Sequence, residues 1–318
     1  MKEKVEAAIN EARTLVLIVH ILVGFDLRAP FEQRFSSLPQ TSQQLKLVAL
    51  ALQLAALALL LLPAAYHRIV ARSEDTYEFR ELVTWAIGLA LAPFALGVGI
   101  EMYVVVSAGA GQTTGIVAGA TGALLSLGLW YGFSLIGAKR ENGPSEEERE
   151  EMAKGTDVDT KVKNVLTEIR VVLPGVQALI GFQMAGVLTD AFDKLPAFSK
   201  GVHLGGLGLL TLAAVLLMTP PAYHRIHERG ENTDRFERLA SRYMLVAMVP
   251  LALGIAGDAY VVFAKVLEST TAGWVAGMVV ALGFLGLWFG YTWMKRAAGG
   301  EQPAQVGRPD RGVTARAA

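Results

Sequence analysis

Long apolar runs, rather than alternating or amphipathic ones, organise this chain. Leu47 to Ala65 contains one polar side chain, Gln53. Leu82 to Ile100 carries no charge and continues past Glu101 through Tyr103, Val104, Val105 and Val106, and Ile116 to Ala138 follows. A helix that crosses about 30 Å of hydrocarbon needs roughly 20 mostly apolar residues, because every backbone polar group must be paired within the segment. The run Leu15 to Phe25 is shorter and is interrupted by His20, but four comparable runs recur later: Val171 to Leu188, Val202 to Ala222, Tyr243 to Phe263 and Trp274 to Met294. The pattern predicts eight transmembrane helices, four in each half.

The halves are copies. At an offset of 157, Glu11 and Arg13 fall on Glu168 and Arg170, and Gly24-Phe25 falls on Gly181-Phe182. Pro63, Ala65, Tyr66, His67, Arg68 and Ile69 fall on Pro220, Ala222, Tyr223, His224, Arg225 and Ile226. Roughly a third of positions from Glu11 to Val106 are identical without a gap, the mark of an internal repeat. One extra residue in the last loop moves the offset to 158 and aligns Gly128-Leu129-Trp130-Tyr131-Gly132 with Gly286-Leu287-Trp288-Phe289-Gly290. Because four is even, both copies enter the membrane in the same sense. The expected architecture is all-α and polytopic: two parallel four-helix repeats at 1–138 and 165–296, a charged linker at 139–164 carrying the run Glu146 to Glu151, and a Gly-, Pro- and Arg-rich tail at 297–318 expected to be disordered.

Composition agrees with the hydropathy pattern. Of 318 residues, 53% are hydrophobic and 18% charged, with a mean hydropathy of +0.40, too apolar for a soluble domain with so few aromatic residues. The apolar excess implies lipid as a partner. Lys and Arg number 29 and Asp and Glu 29, so no basic excess points to nucleic acid. The chain has no cysteine, which excludes disulfides, thiolate metal sites, iron–sulfur clusters and cysteine nucleophiles. No small-residue cleavage pattern follows the first apolar run, so that run reads as a retained helix.

Basic residues set the expected orientation. Arg68, Arg72 and Arg80, then Arg225, Arg229, Arg235, Arg238 and Arg242, follow the second spans, and Lys139 and Arg140 open the linker. The third-to-fourth loops hold only Lys265. By the positive-inside rule both termini are cytoplasmic; Arg28, Arg34, Lys194 and Lys200 on the opposite side weaken the bias.

The pattern Glu168-x-Arg170, Pro174-Gly175-Val176-Gln177, Gly181-Phe182 and Pro220-x-Ala222-Tyr223-His224-Arg225 resembles a family of bacterial four-helix integral membrane proteins, a domain of unknown function. The chain looks like a fused double copy of it. The resemblance implies a multi-pass protein of the bacterial inner membrane, and some relatives carry a sodium/proton antiporter label. The first half departs from the pattern, with Ile18-Val19-His20 where the second has Gly175-Val176-Gln177.

Several polar residues are candidates for chemistry. Glu101 and Asp258 each follow a glycine-containing stretch within a span and precede Tyr103 or Tyr260 by two residues. A carboxylate there costs several kcal/mol unless paired, protonated or wet, and such residues line pathways more often than they face lipid. His20 lies near the middle of the first span and Asp26 two turns further out; their counterparts are Gln177 and Gln183, so only the first half has an ionisable pair on this helix, as a proton path confined to that half would require. An imidazole simply hydrogen-bonded between helices explains His20 as well. At the membrane surface, Glu11, Arg13, His67 and Arg68, and their counterparts Glu168, Arg170, His224 and Arg225, form clusters that suit a proton or an anion. They equally suit interfacial anchoring. Gly115, Gly119, Gly122, Gly273 and Gly277 are expected to bring helices close, and Trp130, Trp288 and Trp293 to form an aromatic belt or a helix contact.

Three functions compete. The first is a small carrier or channel coupling protons to a monovalent cation through Glu101, Asp258, His20 and Asp26. The second is a non-catalytic scaffold or stress-associated protein whose polar clusters only hold helices together. The third is a haem carrier using His67 and His224 as axial ligands; their helix-end positions argue against it. No hydrolase motif is present, so no enzyme activity, metal or cofactor is expected. A homo-oligomer is compatible with the sequence.

Overall fold

The computed structural model describes residues 2–132, 146, 150 and 153–299. Among the described residues, eight helices, numbered here in chain order, are long and apolar enough to cross a bilayer. In the first half they are α1 (Lys2–Arg28), α2 (Gln40–Ile69), α3 (Tyr77–Ala110) and α4 (Gln112–Leu127). In the second they are α5 (Val158–Val187), α6 (Ala197–Ile226), α7 (Asp234–Val266) and α8 (Thr270–Leu285). Both α4 and α8 run on into a π-helical stretch, Gly128–Gly132 and Gly286–Tyr291. The chain is therefore the expected all-α polytopic bundle of four plus four spans. Leu124, Leu125, Val215, Val279 and Leu282 stay exposed on the outside of the bundle, where lipid tails would cover them.

Two expectations shift at their edges. Within the expected linker, α5 begins at Val158, with the Asp157 carboxylate accepting from the amide of Thr160 at 2.8 Å. Of the acidic run, only Glu146 and Glu150 fall among the described residues, and 300–318 of the tail lie outside them; residues 297–299 are helical.

The repeat is visible in local structure. Thr76 and Thr233, related by the offset, cap α3 and α7 by accepting from the amides of Phe79 and Phe236, each at 3.1 Å. The turns before them take the same left-handed backbone, at Arg72 and Ser73 (φ 51 and 63) and at Arg229 and Gly230 (φ 51 and 86). Pro63, Pro93, Pro174, Pro220, Pro221 and Pro250 all sit inside continuous helices.

The two first helices pair at the centre: α1 packs against α5 through Val16, Val19 and Val23 with Val172, Val176 and Leu179, all buried. One of two reciprocal contacts that fit them together uses the departure of the first half from the repeat pattern, His20 against Gly175. A Cβ on Gly175 would overlap the His20 ring, and one on Gly24 would overlap the Phe182 ring. Each helix thus presents a side chain to a glycine on the other. Glycines also let α3 and α4 touch by backbone, a Cβ on Gly119 falling 2.7 Å from the Gly99 carbonyl oxygen, and Gly273 and Gly277 do the same for α8 against α7. The symmetry is broken at the rim. Trp288 is wholly buried and donates through Nε1 to the Ala58 carbonyl of α2 at 2.9 Å, whereas its counterpart Trp130 stacks on Phe94 within its own half at 5.6 Å. Trp288 is a helix contact rather than part of a belt.

Candidate functional site

Polar residues gather at two levels: one near the face where α1 ends, the other at the face where α1 begins.

At the first level, Asp26 on the last turns of α1, Lys46 on the second turn of α2 and Glu101 on α3 converge. The Lys46 ammonium donates to Asp26 Oδ1 and to Glu101 Oε2, each at 2.5 Å. All three are largely shielded, Asp26 most of all at 4% exposure. With every group ionised, two carboxylates share one ammonium and a negative charge is left over; the cluster is neutral when it holds one proton. In a span this charge balance decides the protonation, because burying an unpaired charge costs several kcal/mol.

The offset of 157 carries these residues onto Gln183, His203 and Asp258, and these also meet. The Gln183 amide donates to Asp258 Oδ2, His203 Nδ1 lies 3.3 Å from Asp258 Oδ1, and His203 Nε2 lies 3.3 Å from the Gln183 carbonyl oxygen. The duplicated bundle thus carries the same three-helix polar site twice, with different chemistry: carboxylate, ammonium, carboxylate in one half; amide, imidazole, carboxylate in the other.

His20 does not join either site. Its Nδ1 faces the Val16 carbonyl at 2.9 Å on its own helix, and its ring fills the hollow at Gly175. Asp26 is partnered by Lys46 rather than by His20. Tyr103 supplies the wall against which Gly119 packs. Tyr260 is buried, with ring contacts to Phe198 at 5.7 Å and Trp274 at 5.1 Å.

At the second level, one cluster crosses between the halves. His67 Nδ1 lies 2.6 Å from Glu168 Oε1, and Arg68 reaches Glu168 Oε2 through Nη2 at 2.7 Å and Nε at 3.1 Å. Arg68 also donates to Ser73 Oγ at 2.7 Å, and Ser73 donates to Glu237 at 2.6 Å. Beside them Asn164 donates to Asp75 at 3.0 Å. His67, Arg68, Glu168, Ser73 and Glu237 are all buried.

The related residues of the other copy do not repeat this. Arg225, Glu11, Arg13 and Arg170 are exposed, and His224 meets Asn232 at 3.1 Å. The cause is readable: Glu237 falls on Arg80 under the offset, so a second copy of the cluster would set a guanidinium facing Arg225. His67 also stacks on Phe79, with ring centroids 4.1 Å apart. Nδ1 at Glu168 and the Phe79 face hold the His67 ring within the cluster, its Nε2 3.8 Å from Asp75 Oδ1. In the loop beside the cluster, burial raises the Glu74 carboxyl, but hydrogen bonds from Lys161 and from the Thr156 amide outweigh it and hold the group below its ordinary value.

Sequence reasoning missed Lys46, His203, Ser73 and Glu237. Lys46 sits one residue before the apolar run that marks α2 and reads as a flanking charge. Its alignment with His203 across the repeat was the available signal.

In comparison with known families, the family described as "Family of unknown function (DUF6328)" matches residues 3–134 and again residues 150–292. The chain belongs to this family, as two consecutive copies. No curated protein and no solved structure matches it.

Proposed function

We propose that this double copy of a family of unknown function is a carrier of the bacterial cytoplasmic membrane that exchanges protons for a small monovalent cation at carboxylates buried within its spans. The observation that carries the reading is the repetition of one polar site in both halves, at the same depth on the same three helices. Asp26, Lys46 and Glu101 form one, with Lys46 2.5 Å from each carboxylate, and Gln183, His203 and Asp258 form the other. A site of this kind stays neutral only by holding a proton or a cation, and that either-or occupancy is what coupled exchange requires. The basic residues after the second spans support cytoplasmic termini. The apolar packing of Val16, Val19, Val172 and Val176 between the two polar levels fits an occluded state of such a carrier. The reading assigns no covalent chemistry to the chain.

A scaffold reading is favoured by a different observation, the buried cluster of His67, Arg68, Glu168, Ser73 and Glu237 that ties the halves together. The two readings separate in proteoliposomes. Purified protein with an internal pH-sensitive dye is pulsed with sodium, potassium or lithium, beside Glu101→Gln and Asp258→Asn. Cation-dependent proton movement that a carboxylate variant abolishes supports the carrier. Its absence under every gradient sinks the carrier and leaves the scaffold.

A further inference from the structure

The two outer sites differ in the one group that decides whether a proton can leave. In the first half the centre is an ammonium held by two carboxylates. In the second half the centre is His203, and a proton count follows from its contacts. Nε2 faces the Gln183 carbonyl oxygen at 3.3 Å and can bond it only as a donor, so Nε2 carries a hydrogen. Nδ1 then faces Asp258 Oδ1 at 3.3 Å, and two lone pairs cannot stably face each other there. One proton is shared between imidazole and carboxyl, and the pair is neutral whichever side holds it.

The surroundings give that proton somewhere to go. A cavity of about 10 Å³, the space of one water, is lined by Gln183, His203, Asp258 and Arg28 among apolar neighbours that include Leu27 and Phe31. Gln183 Oε1 is buried outside any hydrogen bond, and Asp258 Oδ1 faces His203 Nδ1 alone, on residues only 4% and 2% exposed. The Arg28 guanidinium is taken by Glu32 at 2.8 Å and does not neutralise Asp258. Phe31 forms part of the cavity and also of a vestibule of about 710 Å³ between the α1–α2, α5–α6 and α7–α8 connections. The charged side chains of the vestibule are Glu32, which is paired with Arg28, Asp190 and Glu268, with Lys194 and Lys265. Phe31 and Phe192 flank the His203 ring at 5.7 and 5.5 Å, and Lys200 Nζ lies 6.0 Å from the Phe192 ring centroid.

We infer that cation exchange takes place in the second half: a dehydrated monovalent cation of sodium or lithium size enters past Phe31, binds Asp258 Oδ1 and Gln183 Oε1, and expels the proton shared by His203 and Asp258. This rests on the exchange reading and assigns it to one half. The balance is one for one. A neutral site with one proton becomes neutral imidazole, carboxylate and cation, and one proton leaves to the vestibule. In the first half the tethered Lys46 ammonium already fills the place between the two carboxylates and cannot diffuse away, so no free cation enters there to replace the one proton that copy holds.

The test is proton release from purified protein in weakly buffered detergent, followed with an indicator dye by stopped flow after sodium, lithium or potassium is added. The parent is expected to release about one proton per chain with sodium or lithium and less with potassium. His203→Lys, which installs the lock of the first half, abolishes the release, and Lys46→His, which removes that lock, raises it toward two protons. Release lost in Glu101→Gln but kept in Asp258→Asn places exchange in the first half and overturns this inference while the carrier reading survives. No release from the parent with any of the three ions overturns both.

Discussion

His67 of the first copy and Glu168 of the second are joined through Nδ1 and Oε1 at 2.6 Å, in a buried cluster that spans the two halves. Their repeat partners, His224 and Glu11, form no such contact among the described residues; Glu11 is exposed, and His224 turns to Asn232 instead. A duplicated sequence has thus built one interlock rather than two.

Glu168→Gln therefore has an effect that Glu11→Gln lacks. Removing the carboxylate leaves the Arg68 guanidinium buried with only Ser73 and Glu237, and breaking such a pair costs about 3 kcal/mol or more. The equivalent change at exposed Glu11 is expected within about 0.5 kcal/mol of the parent. Unfolding of both variants in the same detergent decides it. Equal stability of the two would show that the interlock is not what holds the halves together.

Ser73 keeps a left-handed backbone, φ 63, at the position where the second copy has Gly230, φ 86. A non-glycine residue there costs about 1 kcal/mol or more, and Ser73 is retained because its hydroxyl accepts from Arg68 and donates to Glu237. Ser73→Ala keeps the backbone cost and loses both bonds, whereas Ser73→Gly loses the bonds but relieves the backbone. Alanine is expected to be the more destabilising by about 1 kcal/mol. A ranking with glycine below alanine in a thermal melt would contradict this account.

Glu74 ties the α2–α3 turn to the start of α5, accepting from the Thr156 amide at 2.7 Å and from the Lys161 ammonium. Its carboxyl is held below the ordinary value, burial being outweighed by these bonds. A group depressed on folding contributes stability above its unfolded value, and that contribution is lost as pH falls through the folded value. Acidification below about pH 4 is thus expected to loosen the contact between residues 70–76 and 156–161. Hydrogen exchange of those amides, corrected for the intrinsic effect of pH, should rise in the parent. In Glu74→Gln it should be high already at neutral pH and change little.

How much of this was legible depends on which signals lie within one segment. The eight spans were legible because hydropathy is local, and the duplication because His67, Arg68 and their neighbours recur intact at His224 and Arg225. Glu101 and Asp258 stood out as carboxylates in apolar runs. Their partners did not: Lys46 abuts the start of a run and His203 lies near the start of α6, where a charge or an imidazole looks interfacial. Only convergence of three helices shows that both face inward. The pairing of His67 with Glu168, rather than of each half with itself, was also hidden, because a repeat alignment relates equivalent residues and says nothing about which copy a side chain reaches. Beside the alignment of Lys46 with His203, the sequence did hold one further non-local fact, the substitution of Arg80 for Glu237 across the repeat, a charge reversal that disfavours a second interlock.

The meeting of His20 with Gly175 supplies the last test. The hollow exists because position 175 has no Cβ, and the ring that fills it belongs to the other half. Gly175→Ala forces the buried ring aside, and overpacking of this kind costs about 1–3 kcal/mol. His20→Ala leaves a cavity instead and also destabilises, by a similar amount. In the double variant the new methyl group enters the space the ring has left, so the two losses are expected to sum to more than the measured total, with a coupling of about 1 kcal/mol or more. Gly181→Ala, at a helical glycine where a new Cβ meets nothing within 4 Å, is the matched control and should be neutral or slightly stabilising. Additive losses at His20 and Gly175 would mean that the two residues do not pack against each other, and that the unlike motifs at 18–20 and 175–177 are not what fits α1 to α5.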